Sequence, residues 1–289
     1  FAQHVLDAGN GVAFLLDLPG LPLLCLDGHA LAAGIERFVH ALGFGAAVVA
    51  VDTSSVFPAA ATALPKVGYM RQIAAEPILA LTPTLILAEA DSGPPAVLDQ
   101  LREAGARLVL VPDDPTPLGV VAKVETIGAA LGVPERAQAL AESIRRDLDS
   151  VASTVARLPA HPRVLFLLSV GSGTPMAAGG NTSADGMIAL AGGVNAIRGF
   201  DGYQPLSAEA AVAAAPDIVL VTERSLALLG GIDAVVALPE IAATPAGRAR
   251  RIVAMDGLLM LGFGPRTATA AMMLAARFQP DAGLEQGRP

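Results

Sequence analysis

One short stretch sets two unlike groups two positions apart. Residues 66–72 read KVGYMRQ, with the Tyr69 phenol and the Arg71 guanidinium on either side of Met70. Tyr69 is one of only 2 tyrosines in the 289-residue sequence. A free phenol ionises near pH ~10, so its anion acts near neutrality only with help from a hard cation such as ferric iron or from a positive neighbour. Arg71 is such a neighbour. Pro65 and Gly68 mark a loop rather than a helix interior, and a loop tyrosine can project into a cleft. If the loop is extended, residues two apart share a face, so Tyr69 and Arg71 both point the same way. The competing reading is a packed tyrosine whose hydroxyl is satisfied by backbone, and spacing alone does not separate the two.

Little else in the sequence offers chemistry. GSGTPMAAGG (171–180) follows an apolar run, but Met176 stands where a dinucleotide fingerprint needs its third glycine, so a cleft loop is expected there. No G-x-S-x-G, P-loop or metal-spaced histidine pair occurs, and the 4 histidines are scattered. Cys25 is the sole cysteine, which excludes an intramolecular disulfide and a cysteine-rich metal site. Lys and Arg number 19 against 27 Asp and Glu, a formal net charge of −8, without the basic excess that neutralising a phosphate backbone requires. Nucleic acid is not an expected partner. Apolar runs such as RVLFLLSV (163–170) fall well short of the ~20 residues that span a bilayer, so a soluble chain with these runs as core strands is expected.

The sequence also aligns with itself. AAEPILALTPTLILAEA (74–90) matches SAEAAVAAAPDIVLVTE (207–223) at a constant offset of 133, with 5 of 17 positions identical. Each copy reads as a short helix, a proline stop (Pro83 or Pro216) and a strand, and Tyr69 or Tyr203 precedes it. Strands are expected near 21–26, 47–51, 84–88 and 107–111 in a first lobe, and near 163–168, 217–222 and 251–255 in a second. Helices are expected near 31–42, 74–81, 94–104, 183–191, 207–215 and 267–278. Their alternation predicts an α/β fold of two Rossmann-like lobes with parallel sheets. Between the lobes, residues 137–158 carry one apolar stripe (Ala137, Leu140, Ile144, Leu148, Val151, Val155, Leu158), which predicts a long helix over 134–158. A preceding helix is expected to open at Thr116 as N-cap and to end at Gly132. The expected division is an extension over 1–20, an N-terminal lobe over 21–115, a helical linker over 116–159, a C-terminal lobe over 160–280 and a tail over 281–289. Ligands of such sheets sit beyond the carboxyl ends of the strands, so the site is expected in the cleft between the lobes.

VGYMRQIAAEPILAL, RVLFLLSVGSGTPMAAG, GGVNAIRGFDGYQPLSAEAAVAAAPDIVLVTE and LLMLGFGPRT together resemble the haem-binding periplasmic proteins of bacterial haem ABC importers. The resemblance runs from about residue 22 to about residue 280. It implies two lobes joined by a single long backbone helix, with haem in the cleft. It also implies that Tyr69 ligates ferric haem iron and that Arg71 hydrogen-bonds the phenolate. A hard anionic oxygen favours the ferric state. Related importer components dock on the permease through one surface carboxylate per lobe, and the matching positions are Glu76 and Glu209. The competing reading of these two is a favourable charge at a helix start.

The sequence departs from the family in two places. No histidine lies within 163–200, so two stacked haems held by tyrosine and histidine are not expected. The first loop and helix, GHALAAGIERFVHALG (28–43), look longer than usual, and His29 is a candidate sixth ligand there. Met176, Asn181, Tyr203, Arg224, Met260, Phe263 and Arg266 are further candidates for the cleft. Arginines suit propionates, and Met260 or Phe263 could cover a porphyrin face. The expectation is a monomeric, non-enzymatic periplasmic (extracytoplasmic, membrane-associated) carrier of one ferric haem, with the membrane permease of an ABC importer as partner. The alternatives are a cobalamin or ferric-siderophore carrier of the same fold, and a two-lobed α/β enzyme.

Overall fold

The computed structural model describes residues 22–26, 35–53, 55, 62–169 and 174–284. In the first lobe β1 (Leu23–Leu26), β2 (Val48–Val51), β3 (Leu85–Glu89) and β4 (Leu108–Val111) pair in the order β2-β1-β3-β4, every pair parallel. Helices α1 (Ile35–Ala41), α2 (Ala75–Leu79) and α3 (Pro95–Glu103) cover them. A sheet covered on both faces needs no polar alternation, and β3 is buried at every position. Leu23, Cys25 and Leu87 face one core with Phe38 of α1, while Leu24, Ile86 and Ala88 face another with Ile78 and Leu98.

Two helices follow, α4 (Pro117–Leu131) and α5 (Pro134–Val155). Thr116 caps the first as its sequence predicts, accepting the Gly119 N–H at 3.1 Å, and Gly132 ends it with φ 74°. The second buries Ala137, Ala141, Ile144, Leu148 and Val151. It stops three residues before the expected Leu158, which closes a final turn through its N–H to the Val155 carbonyl at 3.0 Å. At 22 residues the rod is about 33 Å long. Only Gly132 and Val133 separate the two helices, so the long helix does not stand alone but packs as half of a helical hairpin.

The second lobe contains β5 (Arg163–Ser169), β6 (Met176–Ala178), β7 (Val194–Asn195), β8 (Tyr203–Pro205), β9 (Ile218–Thr222) and β10 (Ile252–Met255). Its helices are α6 (Ser183–Leu190), α7 (Ala208–Ala214), α8 (Glu223–Leu229), α9 (Ile232–Val236), α10 (Pro239–Ala242), α11 (Pro245–Arg248), α12 (Gly257–Leu261) and α13 (Thr267–Phe278). The sheet order is β10-β9-β5-β6-β8, with β7 also on β5. Strands β10, β9, β5 and β7 are parallel, as the alternation predicts, but β6 and β8 run antiparallel. At three residues each, these strands are too short to leave a periodic pattern, and β6 lies inside the stretch expected to be a cleft loop.

The sequence repeat is a structural one. α2 leads into β3, which pairs with β1 and β4, and α7 leads into β9, which pairs with β5 and β10. A single core joins the lobes through the hairpin, running from Phe38 past Val124, Ile127 and Ile144 to Phe166 and Phe278. Each fully buried side chain of this size contributes about 1.5–3 kcal/mol.

Candidate ligand site between the lobes

The Tyr69 loop is shaped by its backbone. Residues 65–68 run beside the end of β2, with Val51 N–H donating to Pro65 O at 3.1 Å, Val67 N–H to Val51 O at 3.1 Å and Thr53 N–H to Gly68 O at 2.9 Å. Gly68 then turns with φ 106°, a region that side chains resist. Tyr69 is extended (φ −79°, ψ 134°) and half-buried, and Met70–Gln72 form a 3-10 turn closed by Gln72 N–H on Tyr69 O at 2.7 Å. The turn replaces the extended strand that the sequence reading assumed for Tyr69 and Arg71. The two groups nevertheless stay on one turn, Tyr69 as its N-cap and Arg71 within it. Met70 is fully buried and anchors the turn.

The loop after β3 clasps this turn from the other side. Gly93 N–H donates to Met70 O at 3.0 Å and Ile73 N–H to Gly93 O at 3.2 Å. Asp91, on the same loop, forms an ion pair with Arg71. Partial burial pulls the Arg71 pKa down, but the hydrogen bond and charge of Asp91, with smaller contributions from Tyr69 and Glu89, hold it above its ordinary value. Arg71, Asp91, Asp113 and Pro115 make the first-lobe wall of a pocket between the lobes.

Behind that wall lies a buried cation. Lys123 of α4, 1% exposed, reaches Glu89 at 3.3 Å and Asp113 at 3.2 Å. Burial disfavours its charge, yet the two carboxylates and their hydrogen bonds raise its pKa above the usual lysine value. The ion cluster ties the ends of β3 and β4 to the interlobe hairpin.

Leu168, Asn181, Thr182, Ser183, Gly202, Tyr203 and Leu261 form the opposite wall. Thr182 caps α6, accepting Asp185 N–H at 3.1 Å and donating to Gly179 O at 3.0 Å. The Tyr203 hydroxyl is hydrogen-bonded to Thr182 and to the backbone of Ala184. Burial dominates and pushes its pKa up to about 12, against the lowering effect of those two bonds. Tyr203 thus fastens β8 to the start of α6, with its oxygen already engaged.

The sequence pattern of the periplasmic binding protein family matches residues 30–258. The chain belongs to that family. Among solved structures this binding protein is similar to the periplasmic haem-binding protein RhuT from Roseiflexus sp. RS-1 in its apo form. The TM-score is 0.84 and the identity 38%, over 91% of this chain and 100% of that one. It is also similar to the periplasmic haem-binding protein BhuT in complex with two haems, with a TM-score of 0.83 and 41% identity over 90% and 99% of the respective chains. Among sequence relatives, an ABC transporter substrate-binding lipoprotein of Bacillus subtilis, YvrC, is 26% identical over 85% of this chain and 77% of that protein. A vitamin B12-binding protein of Yersinia pseudotuberculosis is 30% identical over 64% of this chain and 65% of that protein.

The binding protein's fold brings some of the residues expected at the site together and not others. Arg71, Tyr203 and Asn181 line the cleft, and Tyr69 opens the turn that carries Arg71. Met176 lies half-buried in β6, and Arg224 and Arg266 are exposed, all three outside the lining. Met260 and Phe263, expected to cover a ligand face, are 0% and 2% exposed and packed in the main core, and Leu261 lines the cleft in their place. Apolar side chains in this segment of the chain are drawn inward by the packing of α12 on α6 and α13. His29 lies outside the described residues. Glu76 and Glu209 are exposed in the first turns of α2 and α7. Asp91, Asp113 and Thr182 were missed by the sequence reading. The two aspartates each stand two residues beyond a strand end, where ligands of α/β sheets sit, so their position was a usable signal. Among the described residues, no group of three or more His, Cys, Asp or Glu is placed to hold a metal ion, and no helix is long and apolar enough to cross a membrane.

Proposed function

We propose that this binding protein is an extracytoplasmic carrier that takes one ferric haem between its lobes, with Tyr69 as iron ligand, and delivers it to the permease of an ABC importer. The observation that carries this reading is that Tyr69 opens the same turn as Arg71, whose guanidinium lines the cleft wall, in a chain similar to haem-binding proteins. An adjacent guanidinium favours the phenolate, and a phenolate is a hard oxygen donor suited to ferric iron. One haem, rather than the two bound by BhuT, is favoured because no histidine lies within 163–200 and Tyr203 spends its hydroxyl on α6. Glu76 and Glu209, at equivalent places in the repeat, are proposed to meet the permease. The likeness to a vitamin B12-binding protein favours a second reading, a cobalamin carrier, in which Tyr69 has no metal to bind.

Hemin titration of the wild-type protein and of Tyr69→Phe separates the readings. A tyrosinate charge-transfer spectrum in the wild type, lost with weaker hemin binding in a Tyr69→Phe protein that still folds, supports the haem carrier. A wild-type protein that leaves the hemin spectrum unchanged while binding cobalamin favours the second reading. Should Tyr69→Phe keep the wild-type spectrum and affinity, the ligand lies elsewhere, with His29 the next residue to replace.

A further inference from the structure

Arg71 has a long, flexible side chain that is 41% exposed, and its partner Asp91 is 43% exposed. A guanidinium in that setting has about 2 kcal/mol of rotamer entropy to lose and, without an anchor, would swing into solvent. Asp91 supplies the anchor from a loop that is itself fixed to the Tyr69 turn. Gly93 exchanges two backbone hydrogen bonds with Met70 and Ile73, and Ser92, 4% exposed, donates its N–H to Glu89 O at 3.0 Å. Asp91 and Tyr69 therefore belong to one unit of hydrogen-bonded backbone. The other carboxylate acting on Arg71, Glu89, is buried and occupied by Lys123 at 3.3 Å.

We propose that Asp91 is a positioning residue, which holds the Arg71 guanidinium on the cleft wall beside the Tyr69 turn, so that the support for a phenolate ligand is in place before the ligand arrives. The proposal rests on the reading of Tyr69 as the iron ligand. It differs from that reading in giving Asp91 no contact with the ligand: its effect passes through Arg71. An alternative role for the same carboxylate, competition with the phenolate for Arg71, has the opposite sign in every measurement below.

The test uses the hemin-loaded full chain with Asp91→Asn, which keeps the size and removes the charge, and Asp91→Glu, which keeps the charge. Thermal melts establish that each variant folds. Asp91→Asn is expected to weaken the phenolate vibrations in resonance Raman spectra and to speed hemin loss to a scavenger on the order of tenfold, the usual cost of removing a group that orients a metal ligand. Asp91→Glu is expected to restore most of both. In an Arg71→Ala background, Asp91→Asn is expected to change nothing further, because the two act as one unit. A wild-type Raman signature and release rate in Asp91→Asn would overturn the proposal. So would slower release, or an effect that adds in full to that of Arg71→Ala. If the wild type itself shows no tyrosinate signature, the haem reading falls and this proposal with it, whereas a normal wild type beside an unaffected Asp91→Asn removes the proposal alone.

Discussion

The Arg37 guanidinium of α1 donates from Nη1 to the carbonyl of Leu258 in α12 at 2.7 Å, joining the two lobes across 221 positions of sequence. Arg37 is 6% exposed, and Gly264 lies so close that a Cβ there would stand 3.3 Å from the Arg37 Cδ. With the α4–α5 hairpin this makes a second tie between the lobes. Small-angle scattering of apo and hemin-loaded protein is expected to give radii of gyration within about 1 Å of each other, the behaviour of pre-organised binding surfaces. A large compaction on loading would point to a hinge instead. Arg37→Ala should lower stability by about 1.5–3 kcal/mol, since it removes a hydrogen bond from a charged group between the lobes.

Glu76 and Glu209 sit in the first turns of equivalent helices, one per lobe, with both side chains exposed. Glu209 is held below the usual carboxylate pKa by its own backbone N–H first and by Ser207 second, so it is charged at neutral pH. Replacing both glutamates by lysine should leave hemin titrations unchanged and abolish uptake through the cognate permease, with single variants in between. Transport at wild-type rates in the double variant would leave both as helix-start charges only.

Lys123 is buried between Glu89 and Asp113. Lys123→Met leaves the Glu89 carboxylate without its buried cation and should cost about 3–5 kcal/mol in urea denaturation at neutral pH, with Glu89→Gln in the same chain recovering part of it. A loss under about 1 kcal/mol would mean that the cluster does not tie the lobe to the hairpin.

Tyr203 gives a pH dependence with a definite sign. Its folded pKa is raised to about 12 from 10.0, chiefly by burial, so the stability that goes with the neutral phenol is complete below about pH 10 and lost as pH climbs toward 12. Two units correspond to roughly 2–3 kcal/mol. Denaturation curves of wild type and Tyr203→Phe should therefore change their separation by about that amount across this window. A constant separation would show that the hydroxyl is solvated.

The parallel strands and the long helices were legible because each is marked at both ends, Thr116 and Gly132 being the clearest pair, and because apolar runs such as LILAE have one use in an α/β chain. The repeat was legible down to the placing of Glu76 and Glu209. The antiparallel edge was not, since three residues of β6 and three of β8 carry no period and their pairing is set by distant partners. Tyr69 and Arg71 stood out by rarity and spacing, and a 3-10 turn rather than a strand carries them. Met260 and Phe263 misled because an apolar side chain after a helix reads the same whether it faces a ligand or the core. Lys123 gave no warning either: its burial depends on Glu89, 34 residues away in sequence.

Among the glycines that leave no room for a methyl group, two sit where the hairpin and the lobes meet. A Cβ at Gly128 would stand 2.1 Å from the Ala137 Cβ inside the hairpin, and one at Gly186 would stand 2.2 Å from the carbonyl oxygen of Pro115, across the cleft. The gap between the walls is therefore set by hard contact, like the jaws of a caliper locked at one reading. Even an alanine at Gly186 would reset the reading.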